Sequence, residues 1–235
     1  MKRGALVIGL VVMAALLSAS VGLAADANVT LYDGYNAPLQ HVPGVGSGRG
    51  GEFDVKVNQW NYTPYVTWVT PKNTSRHFAT FCMQTTQFVS MNTPYDVTIS
   101  THTDGNPLHV KPLSGGAAYL FALWNRKALP KYDYTAAGRD ASAAALQRVL
   151  WKLQGESFSY WGTDTREQEW YDLALASSWH TGNQIGSVRV MQLYASGTDK
   201  QDVLVELVPE PGTIALMGCA LFGLVPALRR RRRQC

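Results

Sequence analysis

Cysteine is scarce in this chain: Cys82, Cys219 and Cys235 are all it has. Cys219 lies in an apolar tail and Cys235 is the last residue, so Cys82 is the one thiol of the central region and an internal disulfide there is excluded. His41, His77, His102, His109 and His180 form neither an H-x-x-x-H pair nor a Cys/His cluster, so no metal is expected, and no cofactor motif is present either. There is no G-x-S-x-G. The glycines Gly44, Gly46, Gly48, Gly50 and Gly51 do not place a G-x-G-x-x-G between a strand and a helix, which argues against a phosphate cradle. Asp104-Gly105-Asn106 has no later bidentate acid and reads as a turn rather than a calcium loop. Charge is sparse as well, at 16% of residues against 46% apolar, a composition that excludes the disordered class.

What is present is concentrated first at the two ends. Lys2 and Arg3 precede an apolar stretch from Ala5 to Leu17, and small residues follow at Gly22, Ala24, Ala25 and Ala27. This is the layout of a secretory signal peptide, expected over residues 1–24. At the other end stand Val208, Pro209, Glu210 and Pro211, then an apolar run from Thr213 to Leu228, then Arg229, Arg230, Arg231, Arg232 and Arg233. As a helix, that run falls slightly short of a ~30 Å hydrocarbon core, which suits a transient anchor, and the arginines hold its C-terminal end on the cytoplasmic side. Gly212, Gly218, Gly223 and Pro226 weaken the helix.

Pro-Glu-Pro, apolar helix and basic cluster in that order resemble the PEP-CTERM sorting signal of Gram-negative bacteria. The resemblance implies recognition by an exosortase at the inner membrane, transient anchoring there, and a destination at the cell surface or in an exopolysaccharide or biofilm matrix. The chain is accordingly divided into a signal peptide (1–24), an exported domain (25–207) and a sorting signal (208–235). Setting aside Lys2, Arg3 and the five terminal arginines reduces 21 cations to 14, against 16 acids once Glu210 is removed from 17. The exported part is therefore weakly acidic, and no basic patch remains for nucleic acid.

Strand signals run through the exported part. Glu52 to Asn58 alternates around Phe53, Val55 and Val57, and Tyr65 to Val69, Phe78 to Cys82 and Tyr95 to Ser100 are rich in β-branched and aromatic residues. Late strands are expected at Ser187 to Tyr194 and Asp202 to Val208, whereas Val29 to Gly51, rich in glycine and proline, reads as a loop. A helix is expected from Asp140, as N-cap, to Gly155, as stop. Leu146, Val149, Leu150 and Leu153 form its buried stripe, Arg148 and Lys152 its wet side, and Gln147 and Trp151 its border, one turn apart. A second helix is expected from Thr165 to His180. The fold class is β-rich α+β: one domain of mainly antiparallel strands with two inserted helices, flanked by the signal peptide and a membrane-crossing sorting helix.

Phe78-Ala79-Thr80-Phe81-Cys82, followed far downstream by Leu146-Gln147-Arg148-Val149-Leu150-Trp151, resembles the paired motifs of bacterial surface thioester domains. In that family a Phe/Tyr-Cys strand and a Thr-Gln-x-Ala-x-Trp helix supply the two partners. The resemblance makes Cys82 the thiol, Gln147 the carboxamide and Trp151 a support. Leu146 stands for the usual Thr, Val149 for the usual Ala, and Met83-Gln84 for a stretch that often carries an acid two places after the cysteine. The implied chemistry is attack of the Cys82 sulfur on the Gln147 carbonyl with loss of ammonia, giving an electrophile that an amine or hydroxyl captures. It requires the two groups to be held about 3 to 3.5 Å apart with water excluded. The plain alternative is a packed cysteine beside a hydrogen-bonding glutamine.

Seven Trp and eleven Tyr also raise a sugar-stacking platform, with Trp60, Tyr62, Tyr65 and Trp68 the densest cluster. Tyr65 and Trp68 cannot share a face of a regular strand, which favours packing. Three classes of function remain. The leading one is a sorted surface or matrix protein with a structural or interaction role and no turnover. The second is a covalent adhesin acting once through Cys82 and Gln147. The third is an extracellular hydrolase, which scattered carboxylates neither show nor forbid.

Overall fold

The computed structural model describes residues 25–35, 51–61, 76–104, 110–158 and 161–207. Alternation of apolar and polar residues builds an antiparallel sheet from β1 (Ala27–Asp33), β2 (Phe53–Trp60), β3 (His77–Thr80), β4 (Pro94–Ser100), β7 (Val188–Ala195), β8 (Thr198–Asp199) and β9 (Val203–Glu206). The order is β3-β2-β1-β4-β7, with β8 and β9 both pairing the far side of β7. The short strands β5 (His102–Thr103) and β6 (Lys111–Pro112) pair separately. Four helices follow β6: α1 (Gly115–Asn125), α2 (Arg139–Leu153), α3 (Thr165–Leu175) and the single turn α4 (Ser178–Thr181).

The mixed α+β class with mostly antiparallel strands is as the sequence indicates, but the described residues hold four helices rather than two. Helix α1 escapes a periodicity search because nine of its residues are buried, so no polar stripe marks it. It starts at Gly115, where an added Cβ would lie 2.1 Å from the carbonyl oxygen of Trp179, so glycine permits the close approach of α4. The expected helix from Thr165 to His180 is broken after Leu175: Ser177 is extended, and its hydroxyl accepts from the His180 amide to start α4. Helix α2 begins at Arg139 after Gly138, so Asp140 lies in the first turn rather than at the cap. Its stop is as expected. Gly155 has φ of +71°, its amide donates to Lys152 O and that of Glu156 to Trp151 O, a Schellman ending.

Residues 27–33 form a central strand, not a loop, which corrects the reading of Val29 to Gly51. Val29 and Leu31 face the core while Asn28 and Tyr32 face outward, but the glycine-rich stretch beyond dominates a window that spans both. The strand expected at Tyr65 to Val69, most of the aromatic cluster, the signal peptide and the apolar tail lie outside the described residues. Among those described, no helix is long and apolar enough to cross a membrane. Trp60 packs edge-on against Phe78, 6.5 Å between ring centres, at the edge of the core.

Two apolar cores result. One joins the inner sheet face, including Val29, Leu31, Val55, Val97 and Leu193. The other lies among the helices and includes Trp124, Leu146, Val149, Leu150 and Trp170. Two segments serve both: Phe81, Met83 and Leu204 enter the helical core, while Cys82, Val203 and Val205 enter the sheet core. Helix α2 does the same, sending Leu146, Val149 and Leu150 one way and Trp151 the other. Cys82, Gln147 and Trp151 thus meet at the seam.

Candidate functional site

Beyond β3 the chain stays extended, and Cys82 sits opposite Val203 of β9 in an isolated antiparallel bridge. The ladder bonds on either side are Leu204 N to Phe81 O at 3.1 Å and Met83 N to Asp202 O at 2.9 Å. Cys82 is therefore a non-hydrogen-bonded partner of Val203, and its own N–H and C=O point away from β9. Both are met by one side chain. The Cys82 amide donates to Gln147 Oε1 at 3.1 Å, and Gln147 Nε2 donates to Cys82 O at 2.7 Å. The same clamp brings Cys82 Sγ to 3.1 Å from Gln147 Oε1. Both residues are fully buried. Gln147 and Trp151, expected on the helix border, are corrected to buried positions, because α2 is covered on both sides by the two cores. Arg148, expected wet, is half-buried with its guanidinium on the buried Glu167 carboxylate at 2.6–2.7 Å.

The electrostatics suit an uncharged pair. Burial pushes the Cys82 thiol far above its ordinary range, the Trp151 indole opposes this, and the charge of Glu156 adds to the rise. At neutral pH the sulfur therefore carries its proton. Trp151 is 4% exposed, and its indole N–H makes no hydrogen bond of regular geometry, although it is close enough to influence the sulfur. A buried donor without a partner is uncommon.

Three features of the surroundings are not visible in sequence spacing. The first fixes the segment after Cys82. Gln84 Nε2 donates to Asp202 Oδ2 at 3.0 Å, the Asp202 amide donates to Gln84 Oε1 at 2.7 Å, and Gln201 Nε2 donates to Gln84 O at 2.8 Å. A carboxylate thus stands beside the residue two places after Cys82, supplied from the turn before β9. The second is a latch from the end of α2: Glu156 Oε2 accepts from the amide and hydroxyl of Thr85, both at 3.1 Å, and Oε1 accepts from Lys111 Nζ at 2.7 Å. Phe158 packs on Trp151 at 5.9 Å between ring centres. The third is the pair of Arg139 with Glu52, joined by bonds of 2.9 and 2.5 Å and completed by the Tyr132 hydroxyl at 3.1 Å, which ties β2 to the first turn of α2. Each of the three joins residues at least 45 positions apart in sequence, so no local pattern announces it.

The sorting residues Val208, Pro209, Glu210, Pro211 and Arg229 to Arg233 lie outside the described residues. Among those described, no group of three or more His, Cys, Asp or Glu side chains could hold a metal ion. His77 is committed to Asp54, 2.9 Å away. Compared with known proteins, the chain matches no family model, no curated protein and no solved structure.

Proposed function

We propose that Cys82 and Gln147 form an internal thioester, and that the protein is an exported surface protein that uses it once to attach covalently to an amine or hydroxyl on a partner. The observation that carries this reading is the 3.1 Å contact between Cys82 Sγ and Gln147 Oε1, with both residues fully buried. It brings the sulfur to the carboxamide group whose carbon it would attack, in a site from which water is excluded. The reaction is balanced: the sulfur bonds to the carboxamide carbon, the C–N bond breaks, and the thiol proton leaves with the amide nitrogen as ammonia.

The clamp supports the chemistry beyond proximity. The Cys82 N–H points at the oxygen that becomes negative in the tetrahedral intermediate, which is the role of an oxyanion-hole donor. The second hydrogen bond, from Gln147 Nε2 to the Cys82 carbonyl, orients the carboxamide so that its oxygen lies at the sulfur and the Cys82 N–H. Export and sorting rest on the resemblance of the two chain ends to a signal peptide and a PEP-CTERM signal. They give this chemistry a destination, the outer surface or an exopolysaccharide matrix.

Intact mass of the purified full chain, beside its Cys82→Ala variant, tests the reading. A wild-type mass lower by one ammonia than its sequence requires, regained as an adduct with methylamine and absent in the variant, is the expected result. A wild-type mass with no such loss overturns the thioester and leaves Gln147 as the clamp of a packed cysteine. Alkylation of the native protein cannot substitute for mass, because a buried neutral thiol and a thioester are both silent to it.

A further inference from the structure

The outer face of the sheet, opposite the core that holds Cys82, carries a cavity of about 310 Å³. That is the size of a small-ligand site, but such sites are mostly apolar. This one is lined by Asn28, Asn58, Gln59, Asn61 and Asp96, and the apolar residues beside them are Ala25 and Ala27. A register slip in β2 builds it. Val55 and Val57 face the core, so regular alternation would send Gln59 inward. Instead Val57 pairs with Val29 and Gln59 with Asn28, which leaves Asn58 as an extra, unpaired residue. The bulge turns two consecutive side chains outward, and Asn58 and Gln59 are both exposed. Gln59, Asn28 and Asp96 are then direct partners across β2, β1 and β4, and the row runs on to Tyr194 of β7. These side chains hold one another. Asn58 Nδ2 donates to Thr30 Oγ1 and Asn28 Oδ1, both at 2.9 Å, and Asn28 Nδ2 donates to Asp96 Oδ1 at 2.9 Å. Gln59 Nε2 donates to Asn61 Oδ1 and Asn61 Nδ2 to Ala25 O, both at 3.2 Å. Among the described residues this leaves Asn58 Oδ1, Gln59 Oε1 and Asp96 Oδ2 as acceptors without a partner, and Asn28, Gln59 and Asn61 each with a second N–H to give.

We propose that this cavity binds a neutral polysaccharide, with one sugar unit in the cavity and the glycan chain following the row of Gln59, Asn28, Asp96 and Tyr194. Every sugar hydroxyl both donates and accepts, and a set of amides with spare N–H groups and spare oxygens answers that dual need. The set is tied in place before a ligand arrives, so little side-chain freedom remains to be lost on binding. The other classes of ligand fit worse. An anion or a nucleic acid would meet the Asp96 carboxylate, and among the described residues no Lys or Arg lines the cavity. An apolar ligand would have two alanines to bury against. A peptide adding as a strand needs a free edge, and β1 and β4 are paired on both sides. The row spans three interstrand spacings, roughly 14 Å, which suits a chain of sugars better than a single one. At its far end Tyr194 is half-buried, its hydroxyl donating to Asp104 Oδ2 at 3.0 Å, and its ring supplies a face on which a sugar can stack. The site lies on the sheet face away from Cys82, and binding there needs no thioester.

Retention of the full chain on columns of immobilised dextran, galactomannan and cellulose, at low and high salt, tests the proposal in wild type, Cys82→Ala, Gln59→Ala and Asp96→Asn. Wild type and Cys82→Ala are expected to be retained equally on at least one of the three, to be eluted by the same polysaccharide in solution, and to be insensitive to salt, since the ligand is uncharged. Gln59→Ala removes an acceptor, and Asp96→Asn replaces the free carboxylate oxygen with a donor while keeping one oxygen for Asn28. Each is expected to weaken binding by roughly 2- to 10-fold, as for loss of a neutral hydrogen bond, with an unchanged melting temperature because both residues are exposed. No retention of wild type on any of the three columns overturns the proposal, as does wild-type affinity in both cavity variants. Retention that disappears at high salt assigns it to charge, and retention lost in Cys82→Ala assigns it to covalent capture; either result also overturns the cavity. The intact-mass result for Cys82 is independent, so each reading can fail while the other stands.

Discussion

Gln147 occupies the place a neighbouring strand would take, answering both backbone groups of Cys82 with one amide. A side chain held in this way has lost most of its rotational freedom before any reaction, which is the entropic part of bringing a nucleophile to a carbonyl. The unpartnered Trp151 N–H belongs to the same argument. If an amine opens the proposed thioester, negative charge collects on the departing sulfur, and a buried donor beside it is worth more than in water. Trp151→Phe keeps an aromatic wall and removes the donor. Hydrogen bonds to charged groups contribute about 1.5–3 kcal/mol, so methylamine capture is expected to slow roughly 10- to 100-fold. Following adduct mass against time checks the rate, and thermal unfolding of the same sample measures the separate effect of the smaller ring on packing.

At the scale of elements, the end of α2 does two jobs, stopping a helix and aiming Glu156. Gly155 has open space where a Cβ would be, so its requirement is the backbone angle alone. Gly155→Ala is expected to lower stability by about 1–2 kcal/mol, the usual penalty for an L-residue in the left-handed region, measured by denaturant unfolding. Gly155 was legible as a stop, and so was most of the sheet, because alternation over Phe53 to Trp60 or Pro94 to Ser100 reflects one buried face. Helix α1 was not legible, being buried nearly all round, nor was β1, whose alternation is followed at once by a glycine-rich stretch. The Cys82 and Gln147 candidates came from a paired motif, and the structure brings them together. The Lys111–Glu156–Thr85 and Gln84–Asp202 contacts could not be found that way, since each joins residues that share no spacing rule.

The whole molecule has Cys82 and Gln147, the proposed reactive pair, at the junction of two cores, so whatever loosens the junction also wets the pair. Asp202 is a buried carboxylic acid built into that junction. Its amide and carboxylate both bond to Gln84, its carboxylate also accepts from the Asp104 amide at 2.6 Å, and its carbonyl accepts from Met83 N. Burial pushes its carboxyl up to about 8, helped by the nearby Asp104 charge, though the hydrogen bond from the Asp104 backbone opposes this. An acid raised in the folded state binds its proton more tightly there than in the unfolded chain. Below the ordinary value of 3.8 both states are protonated and nothing is lost. Between 3.8 and about 8 the unfolded chain gives up its proton more readily, so this contribution to stability falls as pH rises, then stays low above 8. Asp202→Asn keeps an acceptor for Gln84 and for the Asp104 amide but cannot ionise. The melting temperature of the variant should therefore lose this part of the pH dependence and exceed that of the wild type at pH 8 and above. The variant should also retain the proposed thioester longer under alkaline conditions, where ionisation of the buried Asp202 lowers the stability of the wild type and with it the exclusion of water from Cys82. Parallel melting curves and intact-mass time courses at pH 5 and pH 9 check both outcomes, and equal wild-type and variant slopes would show that Asp202 does not control the junction.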